Sequence, residues 1–345
     1  MKKIISLILV LMFVIISICG CGSQSNKVTL RVYNWGEFID MELLDKFEEE
    51  TGIKVLYDVY TDNESLYAKI RNSGEDSYDI IVPSDYMIKK MISEDMLAKI
   101  DFNNIPNIKN INEAYLNPSY DPSGEYSVPY FYGMVGILYN KNKVDGKIKG
   151  MKDLFDEKYS RNVCMLYSMR DTIGMTLKML GYSMNDTDPA HINEAKEILI
   201  KQKPNVLAYG TDELVPKVAD GSAAMAMVYS GDGIVAATED PENVEFVIPE
   251  EGSNIAMDSM VILKTSKHKS EAEKFINFML DAENSAQNAI YTGYSTPNKE
   301  AWNLLSDEVK NDSRRYLTDE MMAKCEEFTS DNSHYVDAWD EILAQ

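Results

Sequence analysis

The chain has 345 residues, and its 56 acidic side chains outnumber 34 basic ones for a formal charge of −22. Such a surplus argues against nucleic acid and anionic lipid headgroups as partners and draws cations towards the protein, although most of it serves solubility. The length exceeds what one compact core comfortably buries, so two lobes are expected.

At the start, Lys2 and Lys3 precede the apolar run "IISLILVLMFVIISI" and then "ICGC". A charged region, an apolar region and small residues before a cut describe a secretory signal over residues 1–20. The run is short for a spanning helix, which leaves an uncleaved N-terminal anchor as the alternative. Ile18-Cys19-Gly20-Cys21 resembles a bacterial lipobox, which makes Cys21 the lipidated residue and 21–27 a polar tether. Cleavage removes two lysines and no acid, leaving 32 basic against 56 acidic residues. The mature chain then lies outside the cytoplasm. Cys164, inside "VCMLY", is expected as a buried thiol; Cys325 carries no assignment.

The first strand follows in "VTLRVYNWGEFID", where apolar and polar residues alternate up to Tyr33. The corner Asn34-Trp35-Gly36-Glu37 passes into a helix with Leu43, Leu44 and Phe47 on one face. "GIKVLYDVY" reads as a strand, "NESLYAKIRNSG" as a capped helix ending in Gly74, and "YDIIVP" as a buried strand. "SDYMIKKMISEDM" follows as a helix capped by Ser84 or Asp85. Later, "RNVCMLYS" leads into "MRDTIGMTLKMLGY", and "SAAMAMVYS" into "GDGIVAATED". Strands alternating with helices make this an α/β protein of mostly parallel sheets with helices on both faces.

In such sheets ligands bind beyond the carboxyl ends of strands. The residues placed there are Trp35 and Glu37; Ser84, Asp85 and Tyr86; Ser168 and Asp171; Tyr229 and Asp232; Asp258; and Tyr294. They are aromatics and carboxylates, with Arg170 the one cation among them. That pattern suits a ligand carrying several positive charges and an aliphatic middle. An ammonium entering a closed cleft must recover its lost hydration from charge and hydrogen bonds, which carboxylates supply. A methylene gains about 0.8 kcal/mol by lying between rings, and ring faces also attract cations. Tyrosines, which add a polar edge, outnumber phenylalanines 21 to 10. By position alone, Asp171 could equally cap the following helix, and Glu37 could be a solvated first-turn acid.

The segments "YNWGEF", "ETGIKVLYDVYTDNESLYAKI", "YDIIVPSDY", "YSVPYFYG", "MDSMVIL" and "GYSTPN" resemble, in one order, extracytoplasmic spermidine/putrescine-binding proteins of ABC importers. The resemblance implies a two-lobed periplasmic-binding-protein fold, type II-like, closing as a clamp around a polyamine. It places residues 28–132 and 257–302 in one lobe and 133–256 and 303–345 in the other, with "PYFYGMVGI" and the stretch before Asp258 as hinge strands. It makes Trp35, Tyr86, Tyr229 and Tyr294 pocket walls. Glu37, Asp171 and Asp258 become its acids, and Ser84 a hydroxyl. Ser168 and Ala256 depart from the spermidine-preferring pattern, which has an aspartate and a large aromatic there, whereas Asp232 matches putrescine-preferring relatives. The mixture leans towards a short diamine, yet Ala256 also widens the pocket, so ligand length stays open.

The implied partners are a polyamine, a permease with its ATPase, and a membrane held through the lipid anchor; the protein is expected to be a monomer without cofactor or metal and not an enzyme. Two rival readings remain. A ligand sensor that shows its closed form to a membrane receptor has the same cleft. "GDGIVA", Gly231 to Ala236, fits a dinucleotide-binding spelling but falls late in an exported chain. The hydrolase signatures G-x-S-x-G, H-E-x-x-H and the P-loop are absent. His191, His268 and His334 read as surface residues.

Overall fold

A computed structural model describes residues 28–72, 78–328 and 333–344. The expected leader, Cys21 and Gly74 lie outside the described residues.

The first half builds a sheet from β1 (Thr29–Trp35), β2 (Lys54–Tyr60), β3 (Ile80–Ile81) and β4 (Ser127–Gly133). Helices α1 (Glu42–Thr51), α2 (Asn63–Asn72) and α3 (Asp85–Ser93) lie between the first strands. A second sheet follows from β5 (Val135–Asn140), β6 (Val163–Leu166), β7 (Val206–Gly210), β8 (Met225–Tyr229) and β9 (Val244–Val247). Its helices are α4 (Met169–Leu180), α5 (Pro189–Gln202), α6 (Leu214–Ala219) and α7 (Ser230–Glu239). The chain then returns through β10 (Ala256–Ile262) to the first sheet and continues in α8 (Lys269–Met279), α9 (Ala282–Thr292) and α10 (Lys299–Leu304), before α11 (Ser333–Ala344).

The strand orders are β2-β1-β3-β10-β4 and β7-β6-β8-β5-β9. Both sheets are mostly parallel as expected, four strands of each running one way and a single strand, β10 or β5, running against them. β1 pairs in parallel with β2 and β3, and β6 with β7 and β8; the β10 and β5 pairings are antiparallel. The cause is the route of the chain. β10 and β5 begin at the junction between lobes and run away from it, whereas β1, β3, β6 and β8 end there.

Alternation along the inner strands then buries both sheet faces, while the edge strand β2 stays largely exposed. On β1, Leu30 and Val32 join Phe47, Phe131 and Phe275, while Tyr33 joins Tyr60, Met91 and Val261 on the other face. In the second sheet Ile137, Met165 and Met227 face α4, α5 and α11, and Leu138, Val228 and Phe246 face α6 and α7. Cys164 is fully buried in the latter cluster.

The chain crosses between lobes at Met134, over residues 248–255, and again after Tyr316. Leu305, Val309 and Tyr316 pack with Ala286 and Ala301, so residues 303–316 stay with the helices of the first sheet rather than joining the second lobe at 303. Glu326 then pairs beside Asn254, and Tyr335, Ala338 and Trp339 of α11 enter the second lobe's core.

The "GDGIVA" glycines find their reason in packing. A Cβ on Gly231 would stand 2.1 Å from the Tyr294 ring, and one on Gly233 would stand 2.2 Å from Phe246. They let α7 approach its neighbours closely, which absorbs the signal that resembled a dinucleotide turn. Gly231→Ala is expected to destabilise the fold by about 1–3 kcal/mol, because Tyr294 must move. A thermal melt within error of wild type would show that the ring yields freely.

Candidate functional site

Strand ends from both sheets converge on one cavity between the lobes. Trp35, the last residue of β1, lies 4.5 Å from the Tyr60 ring at the end of β2 and 6.3 Å from Tyr229 at the end of β8. Its indole N–H is buried without a hydrogen-bond partner among the described residues. The next residue, Gly36, packs so tightly under Asp212 of the opposite lobe that a Cβ there would lie 2.1 Å from Oδ2.

Ser84 occupies the N-cap position of α3 but makes no capping bond. Its hydroxyl instead donates to Asp258 Oδ1 at 2.7 Å and accepts from Asn63 Nδ2 at 3.0 Å. Asp258 sits where β10 breaks register against β4. Burial pushes its carboxyl up to about 7, with the Ser84 hydroxyl and the nearby indole of Trp35 pulling down and Asp171 adding to the rise. Asp85, also buried, accepts from the Tyr86 amide at 2.6 Å. Burial pushes it up to about 8, and the Asp258 charge contributes.

From the second lobe, Ser168 caps α4 and also donates to Asp171 Oδ2 at 2.7 Å. Asp171 is therefore not the cap. It stands in the first turn and accepts further bonds from Tyr229 Oη at 3.1 Å and Asn254 Nδ2 at 2.8 Å. Burial raises its pKa; Ser168, Tyr229 and Arg170 oppose this, and Glu64 adds to it. Asp232, in the first turn of α7, is raised well above the usual range by burial and by Asp212 and Glu37. Tyr294, edge-on to Phe38 at 4.5 Å, reaches towards it with a long 3.5 Å contact.

Of the nine expected site residues, all but Glu37 line this cavity. Glu37 has φ 47° and is exposed; with Asp212 and Asp232 it lines an adjoining groove between the lobes. Ser168 and Ala256 line the cavity too. Residues not expected there include Tyr60, Asn63, Glu64, Asp212 and Phe328. Tyr60 follows the same strand-end rule and was legible; Asp212 follows it after a strand the sequence did not announce, and Phe328 arrives on the last crossing, where no periodicity announces it.

Positive charge is scarce. Among the described residues Arg170 is the only lysine or arginine lining the cavity, and its guanidinium lies 4.1 Å over the Tyr86 ring with Nε 3.5 Å from Glu64. Asp85, Asp171, Asp232 and Asp258 thus surround a space flanked by Trp35, Tyr229 and Tyr294 with little to neutralise them. The arrangement can hold a cation with two or more charged ends and an apolar body. Among the described residues no group of three or more His, Cys, Asp or Glu is placed to hold a metal ion.

The chain was also compared with known proteins. A family model described as bacterial extracellular solute-binding protein matches residues 42–315. The spermidine/putrescine-binding periplasmic protein of Salmonella typhimurium is 39% identical over 308 residues, covering 89% of this chain and 88% of that protein. The putrescine-binding periplasmic protein SpuD of Pseudomonas aeruginosa is 31% identical, covering 89% of each. The solved spermidine/putrescine ABC transporter substrate-binding protein of Streptococcus pneumoniae matches with a TM-score of 0.77 at 40% identity, covering 92% of this chain and 98% of that one.

Proposed function

Because the chain belongs to the family of bacterial extracellular solute-binding proteins, we propose that it captures putrescine or spermidine outside the cytoplasm and delivers it to an ABC importer. The observation that carries this reading is the ring of buried carboxylates with raised pKa values around an aromatic-lined cavity. Desolvated carboxylates are unfavourable without a cation, and an ammonium satisfies them with up to three N–H donors. Asp258 and Asp171 take ammonium groups from opposite lobes, and Asp232 takes a charged end near Tyr294. Trp35, Tyr229 and Tyr294 flank the methylenes, with Tyr86 closing the Arg170 side and Ser84 orienting Asp258. Glu37 acts at the mouth of the cleft, drawing the cation in.

A ligand that touches both lobes stabilises the closed form by its differential affinity alone. The closed form is what the permease engages; ATP hydrolysis belongs to the importer's ATPase. The protein works as a monomer tethered to the membrane by lipid on Cys21. Ser168, a neutral hydroxyl, favours a diamine at that end.

A thermal-shift panel of putrescine, cadaverine, agmatine and spermidine tests the assignment. A ligand present at 100 times its Kd raises stability by about 2.7 kcal/mol. Stabilisation by at least one of these amines is expected. No response to any of them, beside a response to a sugar or amino acid, would overturn the reading.

A further inference from the structure

We infer that Asn254 is a positioning residue that fastens the Asp171 carboxylate to the point where the chain crosses between lobes. Its side-chain amide does two things at once. Nδ2 donates to Asp171 Oδ1 at 2.8 Å, and Oδ1 accepts from the Val135 backbone N–H at 2.8 Å. Val135 opens β5, immediately after the first crossing at Met134. Asn254 itself lies on the second crossing. The third crossing runs alongside it: Asn254 bridges Glu326, Glu326 N donates to Ser253 O at 3.0 Å, and Ile255 N donates to Glu326 O at 2.8 Å. Glu326 is in turn held by Lys178 at 2.8 Å, on the same helix as Asp171.

Asn254 is only 3% exposed and does not line the cavity. It acts behind the site. An amide offers a donor to a carboxylate and an acceptor to a backbone N–H from two separate atoms, so it can span the two. Asn254 therefore ties the first two crossings to one carboxylate of the cavity through one side chain, and the third crossing is bonded to the backbone on either side of it. Hinge segments absorb backbone change when lobes close. Rotation about them must carry Asn254, and with it the position of Asp171 Oδ1. The donor also favours the ionised form of Asp171, against its burial.

This role depends on Asp171 accepting an ammonium, the reading proposed for the cavity. The test is calorimetric titration of wild type, Asn254→Ala, Asn254→Asp, Asp171→Asn and the Asp171→Asn/Asn254→Ala pair with putrescine and spermidine up to millimolar ligand, at pH 5.5 to 8.5. Asn254→Asp keeps the shape and the Val135 bond and puts a carboxylate oxygen in place of the donor to Asp171, whereas Asn254→Ala removes the donor without adding charge. Both single Asn254 variants are expected to weaken binding roughly 10- to 100-fold. Their affinity is also expected to fall at a higher pH than that of wild type, since Asp171, already faced by Glu64 and Arg170, then takes a proton more readily. In the Asp171→Asn background, Asn254→Ala is expected to change affinity by less than about threefold, because coupled residues do not add. Wild-type binding with unchanged Asn254 variants, or an equal loss in both backgrounds, overturns the positioning role alone. Wild-type protein that ignores both amines overturns the ligand reading and the role together.

Discussion

Replacing Asp258 by Asn is expected to weaken polyamine binding by about 2–5 kcal/mol, the cost of leaving a buried ammonium without its partner charge. The same change is expected to leave the ligand-free protein as stable as wild type or more so. The two effects separate because of what surrounds Asp258. The side chain is 8% exposed, and its Oδ1 accepts the Ser84 hydroxyl at 2.7 Å. An asparagine oxygen still accepts that bond, more weakly than a carboxylate, so the local structure survives. What disappears is a desolvated negative charge, which in the empty cavity is a cost rather than a gain. Calorimetric titration reads the first effect and a melt of the ligand-free variant reads the second. Unchanged affinity would remove Asp258 from the binding site, and a large drop in melting temperature would make it a structural carboxylate.

Much of this geometry was legible because strands that end at a cleft deliver the residues that follow them. Trp35 at the end of β1, Ser84 and Tyr86 after β3, and Tyr229 and Asp232 at and after β8 are brought together by that rule alone. Asp212 obeys it as well, two residues past β7, but the weakly patterned "VLAYG" did not announce a strand. Glu37 obeys it in sequence and departs in space: its φ of 47° places the side chain in the exposed groove beside the cavity. The capping role expected of Ser84 gave way to Asp258, a partner 174 residues distant that no local pattern reveals. The one reversed strand in each sheet was illegible for a related reason, since a strand's direction depends on which lobe the chain has just left. Asn254 and Phe328 lie on crossing segments, where register is set by neighbouring crossings and not by periodicity.

The ligand-free protein is expected to lose stability as pH rises from about 4 to about 8, and polyamine is expected to restore more of it the higher the pH. The sign follows from Asp85 and Asp258. Both have an ordinary carboxyl value of 3.8, and folding raises them to about 8 and about 7. Between the unfolded and folded values the native chain holds protons that the unfolded chain has released, so raising the pH favours unfolding. The stability associated with these two groups is intact below the unfolded value and is lost as pH climbs through the folded ones. Asp171 and Asp232 are raised in the same direction by burial and extend the effect. Carboxyls lowered by partners, such as Glu326 beside Lys178 and Ser183, act oppositely and lose their contribution in acid. The ammonium groups of the ligand remain charged throughout this range, as a lysine does. Below a site carboxyl's folded value, binding must first displace a proton, so affinity grows by up to about tenfold per pH unit for each such group. Melting curves at pH 5.5, 7 and 8.5, with and without saturating putrescine, give both quantities from one protein. The gap between the paired curves should widen with pH, and Asp258→Asn should flatten the decline of the ligand-free curve. A gap that stays constant, over a ligand-free curve that rises throughout, would mean that the buried carboxylates are already compensated within the protein and that no cation is needed to complete the cavity.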